Sequence, residues 1–295
     1  MELKIFCPLW GQEHLEITQF VRKAKEAGYD GVDAWVPEEP IERKRFLDAL
    51  GEHELLLIAH QHQAQGADFA AFKASFLRYL HLSAEGEPLA INSHTGRDYF
   101  TFEQNLELID IAADFSAKTG LPVMHETHRG RFAYSPATIG AYFDARPELT
   151  ITADFSHWVC VSESFLENFS APLDEAILRT RHIHARIGYE EGPQVPDPRA
   201  PEWKYAADHF LGWWDRVAEA LAKAWGAGTT ATGGAPAKGA APGLMVGNSP
   251  VLTFTTEFGP APYMPTVPFS KRPVADQFEV NCYMKDVLRQ RYGAR

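Results

Sequence analysis

LPVMHETHRG, residues 121–130, and LTITADFSHW, residues 149–158, share one construction. Each begins with a short run of mostly apolar or β-branched residues. Each then reaches a carboxylate, Glu126 or Asp154, and continues into polar residues. An apolar run of this length reads as a strand buried on both faces, the kind found in parallel sheets. RHIHARIG at 181–188 and LTFTTEFGP at 252–260 repeat the pattern with His184 and Glu257. Taken as strands, the four runs span 121–126, 149–154, 182–187 and 251–257. Working outward, similar runs occur at 4–9, 31–36, 55–60 and 89–93.

Helical segments separate these runs. The segment 13–27 places Ile17, Phe20, Val21 and Ala24 on one face and stops at Gly28. The segment 101–119 opens with Thr101 and Gln104, a capping box, and stops at Gly120. Segments 68–82, 136–146, 164–179, 205–225 and 275–292 have the same character. Strand–helix alternation repeated about eight times predicts a (β/α)8 TIM barrel. A doubly wound sheet would carry a G-x-G-x-x-G fingerprint after its first strand, and none occurs there. The chain therefore reads as one barrel domain over 1–295. One stretch breaks the rhythm: GAGTTATGGAPAKGAAPG, at 226–243, has flexible-linker composition and is expected to be a surface excursion.

Composition narrows the class. With 295 residues, 45% hydrophobic and 23% charged, the chain is not disordered, fibrous or coiled-coil. Its longest apolar run, Leu55 to Ala59, is far short of the about 18 residues of a membrane span. No apolar secretory segment follows Met1, and Cys7, Cys160 and Cys282 form no disulfide framework, so a cytoplasmic setting is expected. The net charge of -11 argues against non-specific nucleic-acid binding. The sequence is compatible with a homo-oligomer.

In such a barrel the active site lies at the C-terminal ends of the strands. There the last four strands offer Glu126, Asp154, His184 and Glu257. Each alone has a bland reading: Asp154 is an ordinary helix N-cap, and a glutamate at a strand end is an ordinary rim residue. Together, three converging carboxylates would repel, and a divalent cation removes that repulsion. Three carboxylates and one imidazole suit Mn²⁺, Mg²⁺ or Co²⁺, with Zn²⁺ also accommodated. No organic-cofactor fingerprint appears. His182 and His184 share a face, and His184, nearer the strand's end, is the better ligand. His60, His62 and His94 close the third and fourth strands and could line the pocket. Arg129 and Arg131 could bind a substrate anion or form surface ion pairs. Trp10, Trp35, Trp158 and Tyr263 could wall a sugar face or simply pack.

At these residues the chain resembles the xylose isomerase-like barrel superfamily, in particular its sugar phosphate isomerase/epimerase group. Glu126, Asp154, His184 and Glu257 match that group's metal ligands. Asp154 to His157 matches its D-x-x-H element and His184 to Arg186 its H-x-R element. The resemblance implies a metal-dependent isomerase or epimerase acting on a small carbohydrate: a sugar, sugar phosphate or related keto-polyol. An enediolate would be its intermediate, with Glu126 and Glu257 passing the proton. His157 and Arg186 would position substrate oxygens, with His60, His94 and Trp10 lining the pocket. A metal-dependent lyase or dehydratase would share the enolate step. An AP endonuclease-like hydrolase would instead hold three zinc ions and use His60, His94 and His157 for the extra ones. A non-catalytic sugar-binding barrel would bind without proton exchange.

Overall fold

The structure is a computed structural model that describes residues 1–228 and 243–293. The excursion expected at 226–243 thus lies outside the described residues except at its ends. Its first residues continue a helix. In chain order the elements are β1 (Glu2–Pro8), α1 (Ile17–Glu26), β2 (Gly31–Ala34), α2 (Pro40–Glu52), β3 (Leu56–Gln61) and α3 (Phe69–Ala84). Then come β4 (Ala90–Ser93), α4 (Phe102–Thr119), β5 (Val123–Glu126), α5 (Pro136–Ala145), β6 (Ile151–Ala153), α6 (Phe155–Ser162) and α7 (Ser170–Arg179). The chain ends with β7 (Thr180–His184), α8 (Lys204–Gly228), β8 (Met245–Val246), β9 (Ser249–Thr255) and α9 (Gln277–Tyr292).

Strands β1 to β7 pair in order and in parallel, β7 pairs with β9, and β9 closes on β1. This is the (β/α)8 barrel. The two-residue β8 is only an antiparallel arm of β9, so β9 is the eighth barrel strand. No helix among the described residues is long and apolar enough to cross a membrane.

Local chemistry explains the boundaries. The Thr101 hydroxyl accepts from Gln104 N and the Gln104 side chain reaches back, which starts α4. Gly120, at φ 73°, ends it in a left-handed turn. Asp68, Ser135 and Asp276 cap α3, α5 and α9 through their side chains. Helix α2 was not visible in the apolar pattern. It buries only Phe46, Ala49 and Leu50, and starts on Pro40 behind the Glu39 cap. The helix expected over 164–179 forms only from Ser170, as α7, and a further helix, α6, precedes it because Asp154 caps a helix directly after β6. Strand β7 also begins two residues earlier than its apolar pattern suggested.

Two apolar cores form among the described residues. The larger packs helices against the outside of the barrel. The smaller fills the barrel's interior with Phe6, Ile58, Ala90 and Met124, together with Leu244 and Val251. The site stands directly on this inner layer.

Candidate functional site

Side chains alternate along a strand, so two residues past an inward-facing apolar side chain the next one also faces inward. From Ile58 that step reaches His60, from Ala90 it reaches Asn92, and from Met124 it reaches Glu126. The same register on β2 and β7 brings in Asp33, His182 and His184. An apolar floor therefore carries a polar layer, and Asn92, Glu126, Asp33, His182 and His184 are all buried.

The structure brings Glu126, Asp154, His184 and Glu257 together. One ligand-type atom from each lies within 4.8 Å of the others. His184 Nδ1 is 2.8 Å from Glu257 Oε2 and 3.6 Å from Glu126 Oε2. The 2.8 Å contact is close but not aligned as a hydrogen bond: among the described residues both its atoms lack a hydrogen-bond partner, as does Glu126 Oε1. Buried polar groups normally find partners. Unpaired donor atoms on three of the four residues, in a set of three carboxylates and one imidazole, fit a divalent cation.

Asp154 serves two purposes. Its Oδ1 caps α6, accepting from Ser156 N at 3.1 Å, while its Oδ2 meets the Arg186 guanidinium. The bland N-cap reading and the ligand reading are both compatible with this one carboxylate. His184 is braced from behind, where its Nε2 lies 3.0 Å from Asp33 Oδ2. Asp33 also accepts from Thr255 Oγ1 at 2.8 Å and lies 3.3 Å from His60 Nδ1. His182 hydrogen-bonds Thr253 and Thr255 one layer below, as a packed group.

The two residues expected to position substrate oxygens, Arg186 and His157, are bonded to each other. Arg186, fully buried just past β7, is already engaged. Nη2 meets Asp154 and donates to His157 Nε2 at 2.7 Å, and Nε donates to Ser156 Oγ at 3.2 Å. An arginine N–H only donates, so His157 Nε2 is the acceptor and its ring proton sits on Nδ1. His157 does not line the cavity. His128 does, with its ring centroid 3.8 Å from that of His157. His157 therefore stands behind the substrate space and braces Arg186.

The cavity above the quartet measures about 400 Å³ and is lined by Trp10, His60, His94, Arg186 and Glu257, as the sequence suggested. Tyr263 meets Trp10 edge-on at 4.8 Å and lies beneath the Arg186 guanidinium. A Cβ at Gly259 would lie 2.1 Å from the Trp10 ring, so glycine is needed there for this wall to form. A neighbouring cleft of about 800 Å³ shares Glu13, Trp35 and His62 with it. Asp33, Asn92 and His128 had not been singled out from the sequence.

Charge in the cluster is self-balancing. Burial pushes the Asp154 carboxyl up to about 7, although Arg186 pulls it back. Burial also disfavours ionised Glu126, but His94 and His184 outweigh it and hold that carboxyl well below the usual range. Glu257 is lowered despite burial by His184 and Arg186. His184 is raised well above an ordinary imidazole: burial opposes its charge, and Glu257 and Glu126 overcome that. Burial holds His94 well below the ordinary range, so its ring stays neutral.

No protein-family model and no curated protein matches the chain. Solved structures do. One described as L-ribulose 3-epimerase aligns over 98% of this chain and 94% of its own, with TM-score 0.61 and 11% identity. The apo form of 3-keto-D-glucoside 4-epimerase from E. coli aligns over 98% and 100%, with TM-score 0.57 and 14% identity. A xylose isomerase-like TIM barrel/4-hydroxyphenylpyruvate dioxygenase fusion protein aligns over 99% of this chain and 45% of its own, with TM-score 0.50 and 11% identity. The chain shares the TIM-barrel fold of these structures.

Proposed function

We propose that this protein is a divalent-metal-dependent isomerase or epimerase of a sugar or related keto-polyol, acting through an enediolate. The observation that carries the reading is the buried Glu126–Asp154–His184–Glu257 set, with its unpaired donor atoms, under a polar cavity. The two sugar epimerases of similar fold support it. A cation held by these four residues would supply Lewis-acid polarisation of an α-hydroxy carbonyl. Glu257 lines the cavity and Glu126 stands across the quartet from it. One takes the proton from the carbon beside the carbonyl and the other returns it. Trp10 and Tyr263 offer an apolar wall to one sugar face while Arg186, held by Asp154 and His157, points its charge at the substrate oxygens. The adjoining cleft is edged by Glu13, Glu16, Glu38 and Glu42 against the single arginine Arg45, which favours an unphosphorylated substrate.

The three-zinc hydrolase is disfavoured by hydrogen-bond direction. It needs His94 and His157 as ligands, yet each accepts a bond from an arginine. The test is incubation with free ketoses and keto-glycosides in D₂O with Mn²⁺. Solvent deuterium should appear at the carbon next to the carbonyl. A dehydratase would reveal itself by a conjugated enone absorbing in the ultraviolet. Neither signal across the panel would defeat the proposal.

A further inference from the structure

We propose that Arg131 locks His94 as an Nε2–H hydrogen-bond donor and thereby limits this mouth to one cation. The inference rests on the reading above, in which the quartet holds that cation.

Beside the quartet lies a second ligand-like set: His60, His94 and Glu126. His60 Nε2 is 3.2 Å from His94 Nε2, His94 Nε2 is 3.0 Å from Glu126 Oε2, and His60 Nε2 is 3.8 Å from Glu126 Oε2. Ligands about 2.0–2.1 Å from a tetrahedral ion lie roughly 3.4 Å from one another. By distance alone, a second ion sharing Glu126 would fit.

Hydrogen-bond direction says otherwise. Arg131 Nη2 lies 3.2 Å from His94 Nδ1 in hydrogen-bonding geometry. A guanidinium has donors and no acceptor, so Nδ1 presents its lone pair to Arg131. The single proton of the neutral ring is then on Nε2, the atom that faces Glu126 and His60. A protonated nitrogen cannot ligate. Binding through Nε2 would need the proton on Nδ1, where it would point at the guanidinium.

His60 is turned the opposite way. Its Nδ1 lies 3.3 Å from Asp33 Oδ1, a carboxylate where His94 Nδ1 meets a guanidinium, as a close contact rather than an aligned hydrogen bond. Hydrogen bonds therefore run in one sense from Arg131 through His94 to Glu126, with His60 Nε2 3.2 Å from His94 Nε2. The His94 N–H reaches Glu126 Oε2, the carboxylate proposed to move the substrate proton. Arg131 touches no reacting atom in this account. It is a positioning residue, anchored by its own Nη1 on Gly130 O at 3.2 Å.

The test counts metal and reads the tautomer. Wild type, Arg131→Met and Arg131→Lys are loaded with Co²⁺ or Zn²⁺, freed of excess ion and analysed for metal per chain. The expected values are one equivalent for wild type, two for Arg131→Met and one for Arg131→Lys, which keeps a donor. The second equivalent should vanish in Arg131→Met/His60→Ala. Long-range ¹⁵N–¹H spectra of metal-free wild type should show His94 protonated on Nε2. Arg131→Met staying at one equivalent would overturn the proposal. So would a wild-type second equivalent that His94→Ala removes, or a wild-type His94 protonated on Nδ1. If Arg131→Met does not fold, the wild-type spectrum decides. Wild type binding no ion would defeat the quartet reading, while the tautomer would still judge Arg131.

Discussion

Asp33→Asn isolates the brace behind the candidate metal ligand. The substitution keeps the side chain's volume and removes its charge. Burial would raise the Asp33 pKa, but hydrogen bonds from His182, His184 and His60 overcome that and hold it well below the usual range. The carboxylate is thus ionised at any working pH. It lies 3.0 Å from His184 Nε2, which keeps that nitrogen's proton and leaves Nδ1 turned toward Glu257 and Glu126. His184 and Thr255 donate to Asp33 Oδ2, and His60 Nδ1 lies 3.3 Å from its Oδ1. An asparagine must turn its amide nitrogen toward one of them, and its oxygen is only a neutral acceptor. Replacing a charged acceptor by a neutral one costs about 1–2 kcal/mol. That corresponds to roughly 5- to 30-fold weaker binding, overlapping the 10- to 100-fold range typical of partners behind metal-bound histidines. Competition against a fluorescent chelator at pH 7.5 measures it, with Mn²⁺ as the ion. Circular dichroism checks that the variant is folded. A folded Asp33→Asn with Kd within twofold of wild type would refute the argument that Asp33 orients His184.

Asp154→Ala should lose most bound cation and most activity by elemental analysis and turnover, because it removes a charged ligand; full metal content would remove it from the quartet. His157→Ala should keep its metal and lose roughly 10- to 100-fold in kcat/KM, since it braces Arg186 from behind; loss of a metal equivalent would point to the hydrolase instead. Cation affinity should fall as pH drops below about 7, by about tenfold per pH unit for each proton displaced, because Asp154 and His184 both hold protons in the metal-free protein. Both groups are raised above their unfolded values, so each stabilises the metal-free protein at acid pH; the Asp154 contribution is lost as pH rises to about 7 and the His184 contribution as pH rises beyond the ordinary imidazole range, and melting curves at increasing pH from 5 upward, with and without Mn²⁺, check the sign. Thr101→Ala breaks the capping box of α4 and should cost about 1 kcal/mol, roughly 2–4 °C in Tm by calorimetry.

The barrel was legible because its signal is local. Eight short apolar runs and the caps at Thr101 and Gly120 lie in the sequence itself, and the quartet stands where those runs end. Asp33 escaped notice because GVDAWV continues apolar to Val36, which put Asp33 inside the run; β2 in fact ends at Ala34, and the carboxylate falls at the polar level. His128 was hidden because it follows the strand end by two residues, in a loop whose path sequence periodicity does not describe. Hydrogen-bond direction was less legible still. Whether His94 or His157 can ligate depends on which ring nitrogen meets an arginine. Those arginines lie 37 and 29 residues away, on other segments of the barrel. A histidine at a strand end thus shows where a ligand could be. Its proton, set by a neighbour the fold brings in, decides whether it binds metal or donates a hydrogen bond, and so two barrels with the same strand-end residues can differ in how many ions they hold.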